Sequence, residues 1–329
     1  MSLFKNIYMT LVKNWSDESS LVKKSLRTGW GDGIVKLAEK NPHVVVLNAD
    51  LPSSLKLEKF IEKFPERYIQ VGVAEQNMTG IASGMALAWK IPFITSFAAF
   101  SPGLNFSQIR LAALSHLPLK IIGSHYGLHV GPDGASAQME SDIALMRSIP
   151  SVRVFSPADY SQTVQMIEAI GADITTDYVR VTRADFPLFL DNADFEIGKA
   201  QKLLDGDGIT IIATGSMVYE SLMVAKELMT SGIMVDFLNI HTIKPIDCEG
   251  IIQSASKTKK VVVIEEHNIE GWLGDAVASV LSEGCPTRLL KIGINDTFWE
   301  SGSHRELWVK YGLDRSVILP RILSWIDKI

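Results

Sequence analysis

The sequence predicts an α/β protein: a parallel sheet covered by helices, followed by a smaller α/β unit. Three observations carry that expectation. Short, almost wholly apolar runs recur along the chain, and a strand that is apolar on both faces belongs inside a parallel sheet. Each run ends in a polar or glycine-bearing turn that feeds a segment with helical spacing, the order of strand–helix–strand crossovers. The style breaks once, near residues 190–198, and the alternation then resumes.

Taken in order, residues 26–40 suit a helix that Asn41-Pro42 stops. HVVVLNAD (43–50) is the first buried strand. YIQVGVAE (68–75) reads as the next, followed by a helix rich in small residues over Asn77–Trp89. IPFITSFAAF (91–100) and LKIIGSHYG (119–127) repeat the strand-then-polar-turn arrangement. VRVFSPAD (152–159) leads into a helix over Tyr160–Ile170, and DYVRVTRADFP (177–187) supplies a further strand. DNADFEIG (191–198) is the polar break. Beyond it GITIIATGS (208–216), a helix through Leu228, IMVDFLNI (233–240), KKVVVIEEHN (259–268) and RLLKIGI (288–294) build the second unit. The expected division is 1–19 as a terminal docking segment, 20–190 as the first domain and 191–329 as the second. Residues 1–15 are amphipathic but lack the apolar core and cleavage site of a secretory signal, so they read as a short docking helix. Ligand groups in such sheets gather beyond the carboxyl ends of the strands.

Charge excludes some functions. Lys plus Arg is 32 against 37 for Asp plus Glu, a formal charge of -5 over 329 residues, which argues against a nucleic-acid binder. No window holds the run of apolar residues that a membrane span needs. Two distant cysteines, Cys248 and Cys285, exclude a disulfide scaffold and fit a reducing cytoplasm.

Three groups could carry chemistry. Glu75 lies where a strand gives way to a helix, close to Gly72, Gly80 and Gly84. A carboxylate there is either a helix-start residue or a functional acid, and the spacing alone leaves both open. Phe97 and Phe100, at a strand end, suit one wall of a pocket for a flat ring, or simply core filling. GSHYGLHVGPDGASAQ (123–138) places His125, His129 and Asp133 in a glycine-rich loop; two histidines and an acid invite zinc, although this spacing defines no tetrahedral set. Such a loop more often serves substrate.

Taken together, VGVAEQNMTGIASGMALAWKIPFITSFAAF, KIIGSHYGLHVGPDG, DIALMRSIPSVRVFSPAD, TIIATGS, TIKPID and EEHNIEGWLG resemble the C-terminal part of transketolases. The chain is most similar to the separately encoded C-terminal subunits of split transketolases, and more distantly to 1-deoxyxylulose-5-phosphate synthase, from about Arg27 to Leu313. The resemblance implies an enzyme that uses thiamine diphosphate and is assembled from two kinds of chain, two copies of each. The pyrimidine-binding domain is here; the N-terminal partner subunit is expected to supply the diphosphate cradle and the ligands of Mg2+. Gly31-Asp32-Gly33 looks like the start of that metal motif, but the resemblance puts it in the helix before the first strand.

Residue by residue, Glu75 matches the glutamate on the pyrimidine ring nitrogen, where proton sharing favours the tautomer that activates the cofactor. Phe97 and Phe100 match the aromatics facing that ring, and Asp50 stands at the first strand's end, where it could orient a helix or touch cofactor across the subunit junction. His125 matches a catalytic-site histidine near the acceptor phosphate, Asp133 the aspartate that reads a sugar hydroxyl, and Arg27 and Arg183 the phosphate-gripping arginines. Ser53 sits near the family's phosphate-contacting serine. His129 has no matched role, and Glu265, Glu266 and His267 match structural or interface positions.

Two departures stand out. Ala137 replaces the usual histidine of Thr-His-Gln, and it can neither donate a hydrogen bond nor shuttle a proton. Gly103 stands where the family carries Arg or Tyr. The expected reaction is transfer of a two-carbon ketol unit from an anionic ketose to an aldehyde or ketone. A decarboxylating carboligase acting on a 2-oxo acid, and a non-catalytic scaffold, are the alternatives that the loss at Ala137 raises.

Overall fold

The computed structural model describes residues 10–191 and 195–328. The expected docking helix therefore falls partly outside the described residues. Within them, residues 10–20 form turns rather than an α-helix, because the backbone there pairs outward: Leu11 bridges Leu190, and the Val12 amide donates to the Phe189 carbonyl at 3.0 Å. Leu11 and Trp15 are buried against the second unit.

The first half runs β1 (Lys23–Ser25), α1 (Leu26–Lys40), β2 (Val44–Asn48), α2 (Glu58–Lys63), β3 (Tyr68–Gln70), α3 (Glu75–Leu87), β4 (Ile91–Phe97) and α4 (Phe106–Leu114). It continues through β5 (Lys120–Ser124), α5 (Asp142–Ser148), β6 (Arg153–Phe155), α6 (Tyr160–Ile170), β7 (Asp177–Val181) and β8 (Asp185–Pro187). The second half is β9 (Gln201–Leu204), β10 (Ile209–Ala213), α7 (Met217–Thr230), β11 (Val235–Asn239), β12 (Thr242–Lys244) and α8 (Cys248–Thr258). It ends with β13 (Lys260–Asn268), α9 (Leu273–Gly284), β14 (Arg288–Ile294), α10 (His304–Tyr311) and α11 (Arg315–Ile326).

The larger sheet has seven strands in the order β12-β6-β7-β5-β4-β2-β3, and the smaller has five in the order β14-β13-β10-β11-β9. Strands β2, β4, β5 and β7 lie deep in the sheet, buried along almost their whole length, and apolar residues dominate β2 and β4 as the continuous hydrophobic runs require; β5 and β7 also bury Lys120, Asp177 and Arg180. Their register puts Phe97 opposite Ser124, and Ser124 opposite Val181, so the carboxyl ends of three strands finish level. That shelf positions the site.

Four details differ from the sequence expectation. YIQVGVAE is a strand only over Tyr68–Gln70, because β3 is an edge with β2 as its one neighbour and leaves the sheet once Asn48 is passed. Helix α3 then starts at Glu75, two residues before Asn77. DYVRVTRADFP splits into β7 and β8; the latter turns away to pair with β1. Finally, β12 from the second half crosses over and joins β6 antiparallel, a three-residue strand too short to carry a periodic signal.

The Gly31-Asp32-Gly33 run is mid-helix in α1, as the resemblance implied. A Cβ on Gly31 would stand 2.3 Å from the Lys56 carbonyl oxygen, so the glycine allows a close helix–loop approach. Asp32 is taken up by Lys59 at 2.6 Å and the Tyr160 hydroxyl at 2.8 Å.

Candidate active site

Glu75 opens α3 and is nonetheless buried, held by a hydrogen bond from the Ser96 hydroxyl to Oε1 at 3.1 Å. Ser96 is the penultimate residue of β4, so the acid is fastened directly behind the shelf. Phe97 follows, and the chain then folds back: the amides of Phe100 and Ser101 both donate to the Phe97 carbonyl, at 2.9 and 2.8 Å. This turn lays the Phe97 and Phe100 rings nearly parallel, 14° apart with centroids at 6.1 Å. Both rings are half-buried, so they present surface beyond the core.

The next strand end brings in His125, stacked on Phe97 at 3.8 Å. The residue has a left-handed backbone, φ 55°, and its Nδ1 lies 2.8 Å from the Ser124 hydroxyl. Burial, reinforced by Arg27 and Arg183, pushes its pKa down to about 3. The ring is therefore neutral near pH 7 and keeps one N–H as a donor.

Beside it stand two cations. Arg27, from the first turn of α1, donates through Nη1 to the Ser54 carbonyl at 2.8 Å, while its buried Nε has no protein partner. Its pKa is lowered, first by burial and then by Arg183. Arg183, just past β7, donates to the Val130 carbonyl at 3.1 Å and reaches the Asp133 carboxylate at 3.4 Å. Two guanidinium groups close enough to repel each other, one with an unused donor, favour an incoming anion.

Thus Glu75, Phe97, Phe100, His125, Arg27, Arg183 and Asp133 converge on one end of the larger sheet. Two others stand apart. Ser53 is exposed in the adjoining turn, where its carbonyl accepts from the Lys56 amide at 3.2 Å; Arg27 engages Ser54 instead. Asp50 is exposed with φ 61°, and its amide donates to the Gln70 side chain at 2.8 Å.

The zinc reading of the loop does not survive the geometry. His129 turns inward, 2.7 Å from Glu266, while His125 stacks on Phe97. Among the described residues no group of three His, Cys, Asp or Glu is placed to hold a metal ion. Sequence reasoning missed Ser96 and Ser124, which orient Glu75 and His125. Their only signal was a polar residue at the end of an apolar run. At the two departures, Ala137 is half-buried with its amide donating to the Gly134 carbonyl at 3.1 Å. A Cβ on Gly103 would lie 2.2 Å from the Ala99 carbonyl oxygen, so the turn after Phe100 is shaped for glycine.

Two family models match in sequence. The transketolase pyrimidine-binding domain covers residues 22–187, and the transketolase C-terminal domain covers residues 198–318. The chain belongs to the transketolase family. Relatives of similar length include a protein of Methanocaldococcus jannaschii provisionally named a transketolase C-terminal section, 44% identical over 93% of this chain and 98% of that one. A 6-deoxy-6-sulfo-D-fructose transketolase subunit of Clostridium sp. strain MSTE9 is 38% identical, covering 92% of this chain and 94% of its own. A solved split-gene transketolase, described as an inactive β4 tetramer, superposes with a TM-score of 0.85 at 38% identity, over 91% of this chain and 97% of that chain. This transketolase chain is thus similar throughout to split subunits. By contrast it covers half of human transketolase, at 32% identity.

Transketolases depend on thiamine diphosphate. The residues present fit one part of that cofactor: a near-parallel aromatic pair for a flat ring, and a buried carboxylate whose protein partner is a single hydroxyl, leaving it capacity for a ring nitrogen.

Proposed function

We propose that this transketolase chain is the pyrimidine-side subunit of a heteromeric enzyme that transfers a two-carbon ketol unit from an anionic ketose to an aldehyde or ketone. The observation that carries this reading is the convergence on one sheet end of the Glu75–Ser96 pair, the Phe97–Phe100 wall and the Arg27–Arg183–His125 cluster. When bound, thiamine diphosphate supplies a nucleophilic carbon that carries the two transferred carbons between donor and acceptor.

The chain's own residues divide the remaining work. Glu75 holds and shares a proton with the pyrimidine nitrogen. Phe97 and Phe100 exclude water from one face of that ring. With Ser124 donating to Nδ1, the neutral His125 offers its Nε2 proton to a substrate oxygen. Asp133 accepts from a sugar hydroxyl, and the two arginines take the substrate's anionic group. Ser53 and Asp50, exposed past the end of β2 and apart from this cluster, would meet substrate or cofactor only across the junction with the partner.

The N-terminal subunit completes the site with the diphosphate cradle and Mg2+ ligands, in a cytoplasmic assembly of two plus two chains. Support comes from apolar side chains exposed beside Glu75, and just before and along α4: Val73 is 78% exposed, Leu104 57%, Leu111 56% and Leu114 69%, more than isolated surface leucines account for. The division at residues 190 and 191, with a terminal segment to residue 19, completes this proposal. Ala137 favours a second reading, decarboxylation of a 2-oxo acid followed by carboligation, because the position offers no proton donor near the transferred group.

Native mass spectrometry of the chain co-expressed with its partner, with and without thiamine diphosphate and Mg2+, tests assembly. A cofactor-bearing two-plus-two complex is expected, and product analysis with a ketose and a 2-oxo acid donor then separates the two chemistries. A chain that ignores both partner and cofactor would return the scaffold reading.

A further inference from the structure

Glu266 lies outside the site yet reaches its principal loop. It comes from β13 of the second unit and is 1% exposed. Its Oε1 accepts the Leu128 amide at 2.7 Å, and its Oε2 accepts the Ser216 hydroxyl at 2.6 Å and stands 2.7 Å from His129 Nε2. Burial works to raise its pKa, but His129 and Ser216 outweigh burial and hold the carboxyl below its ordinary value. At Gly127, φ 64°, a Cβ would sit 2.7 Å from Glu266 Oε1; glycine is what lets the carboxylate reach the backbone.

The loop needs such an anchor. Between His125 and Gly134 it holds three glycines at positive φ, Gly127, Gly131 and Gly134, which leave the backbone free to move, and one non-glycine, His125, whose left-handed backbone persists only where surroundings fix it. The second unit grips it at two further points. The Ser216 amide donates to the Tyr126 hydroxyl at 3.3 Å, and Gln138 Nε2 donates to the Glu300 carbonyl at 3.1 Å. On the other side, Arg183 holds the Val130 carbonyl.

We propose that Glu266 is a positioning residue: through the Leu128 amide and His129 it fixes the loop that presents His125 and Asp133. The second α/β unit thereby sets the geometry of the sugar-anion site without touching substrate. This rests on the reading of that site as the substrate site.

The test compares the wild-type full chain with Glu266→Ala and Glu266→Gln by hydrogen exchange. Exchange over residues 126–134 is expected to rise about tenfold or more in the alanine variant, with residues 75–97 unchanged, because only the loop loses its anchor. The glutamine variant should show a smaller rise confined to the loop, since its amide oxygen still accepts from Leu128. In the complex with the partner subunit and D-xylulose 5-phosphate as probe, kcat/KM should fall about tenfold or more, through a higher KM as Asp133 shifts and a lower kcat as His125 shifts, with thiamine diphosphate binding unaltered. Unchanged loop exchange, a rise spread evenly over the chain, or an unchanged kcat/KM beside loosened loop exchange would overturn the proposal. Should the alanine variant fail to fold, the glutamine variant decides: loop exchange equal to wild type refutes the anchor. Failure of the wild-type complex to use the probe would count against the functional reading, while exchange would still decide this one.

Discussion

Two carboxylates in this molecule look alike in sequence and differ in what their surroundings leave undone. Glu75 is buried at the start of α3 with one hydroxyl as its partner, next to half-exposed aromatic rings. Glu265 is buried in β13, its Oε2 accepting the amides of Leu273 and Gly274 at the start of α9, at 2.9 and 3.3 Å. The second acid completes a helix N-terminus, a task that ends with folding. The first retains acceptor capacity beside an open apolar wall, which is the condition of a group awaiting a ligand. Acidity, burial and even a spare acceptor do not separate function from structure here, since Glu265 Oε1 also has no partner; the half-buried aromatic wall beside Glu75 does.

The largest effect that would break this contrast is at Glu75. Glu75→Ala is expected to lower turnover of the assembled enzyme by at least about a hundredfold, the scale of a lost acid–base group, with subunit assembly intact by native mass spectrometry. Activity within a few-fold of wild type would place Glu75 with Glu265 as a structural acid.

The next effect is at Glu265, whose pKa burial raises to about 8. The folded chain binds this proton more tightly than the unfolded chain does, so the contribution is full below pH 4.5 and is lost as pH rises toward 8. Glu265→Gln keeps an acceptor for the two amides without that loss. Urea unfolding should show it more stable than wild type by about 3 kcal/mol near pH 7, the gain vanishing toward acid. A destabilised Glu265→Gln chain at pH 8 would show that the charge itself matters.

His125 gives a smaller and opposite dependence. Its folded pKa of about 3 lies below the ordinary 6.5, so stability is full above pH 6.5 and falls as the unfolded chain takes up the proton. About 2 kcal/mol should be lost by pH 5, and His125→Gln should remove that part of the slope. Smallest is Arg183→Lys: a single ammonium cannot reproduce the planar fork, and KM for an anionic substrate should rise about tenfold with kcat little changed. An equal rise for an uncharged ketose would mean that Arg183 serves the loop rather than the anion.

Much of the fold was legible because its signals are local. HVVVLNAD and IPFITSFAAF are apolar without alternation, which only a strand covered on both faces explains, and the Leu26–Lys40 and Tyr160–Ile170 helices fell where spacing and stop residues put them. Helix α3 was placed two residues late, because its first turn begins directly from Ala74 with no capping side chain to announce it. The β12 crossover had no local signal at all, since pairing to β6 is a contact across some ninety residues.

By itself, then, the sequence determined the α/β alternation and the family, because apolar runs and an ordered set of motifs are properties of neighbouring residues. Tertiary structure alone decided which polar residues meet. It fastened Glu75 to Ser96, tied Arg27 to the Ser54 carbonyl, and turned His129 away from the loop's surface onto Glu266, 137 positions along the chain. Such meetings depend on strand register and on how the two sheets pack, and neither is written in the spacing of residues along one chain.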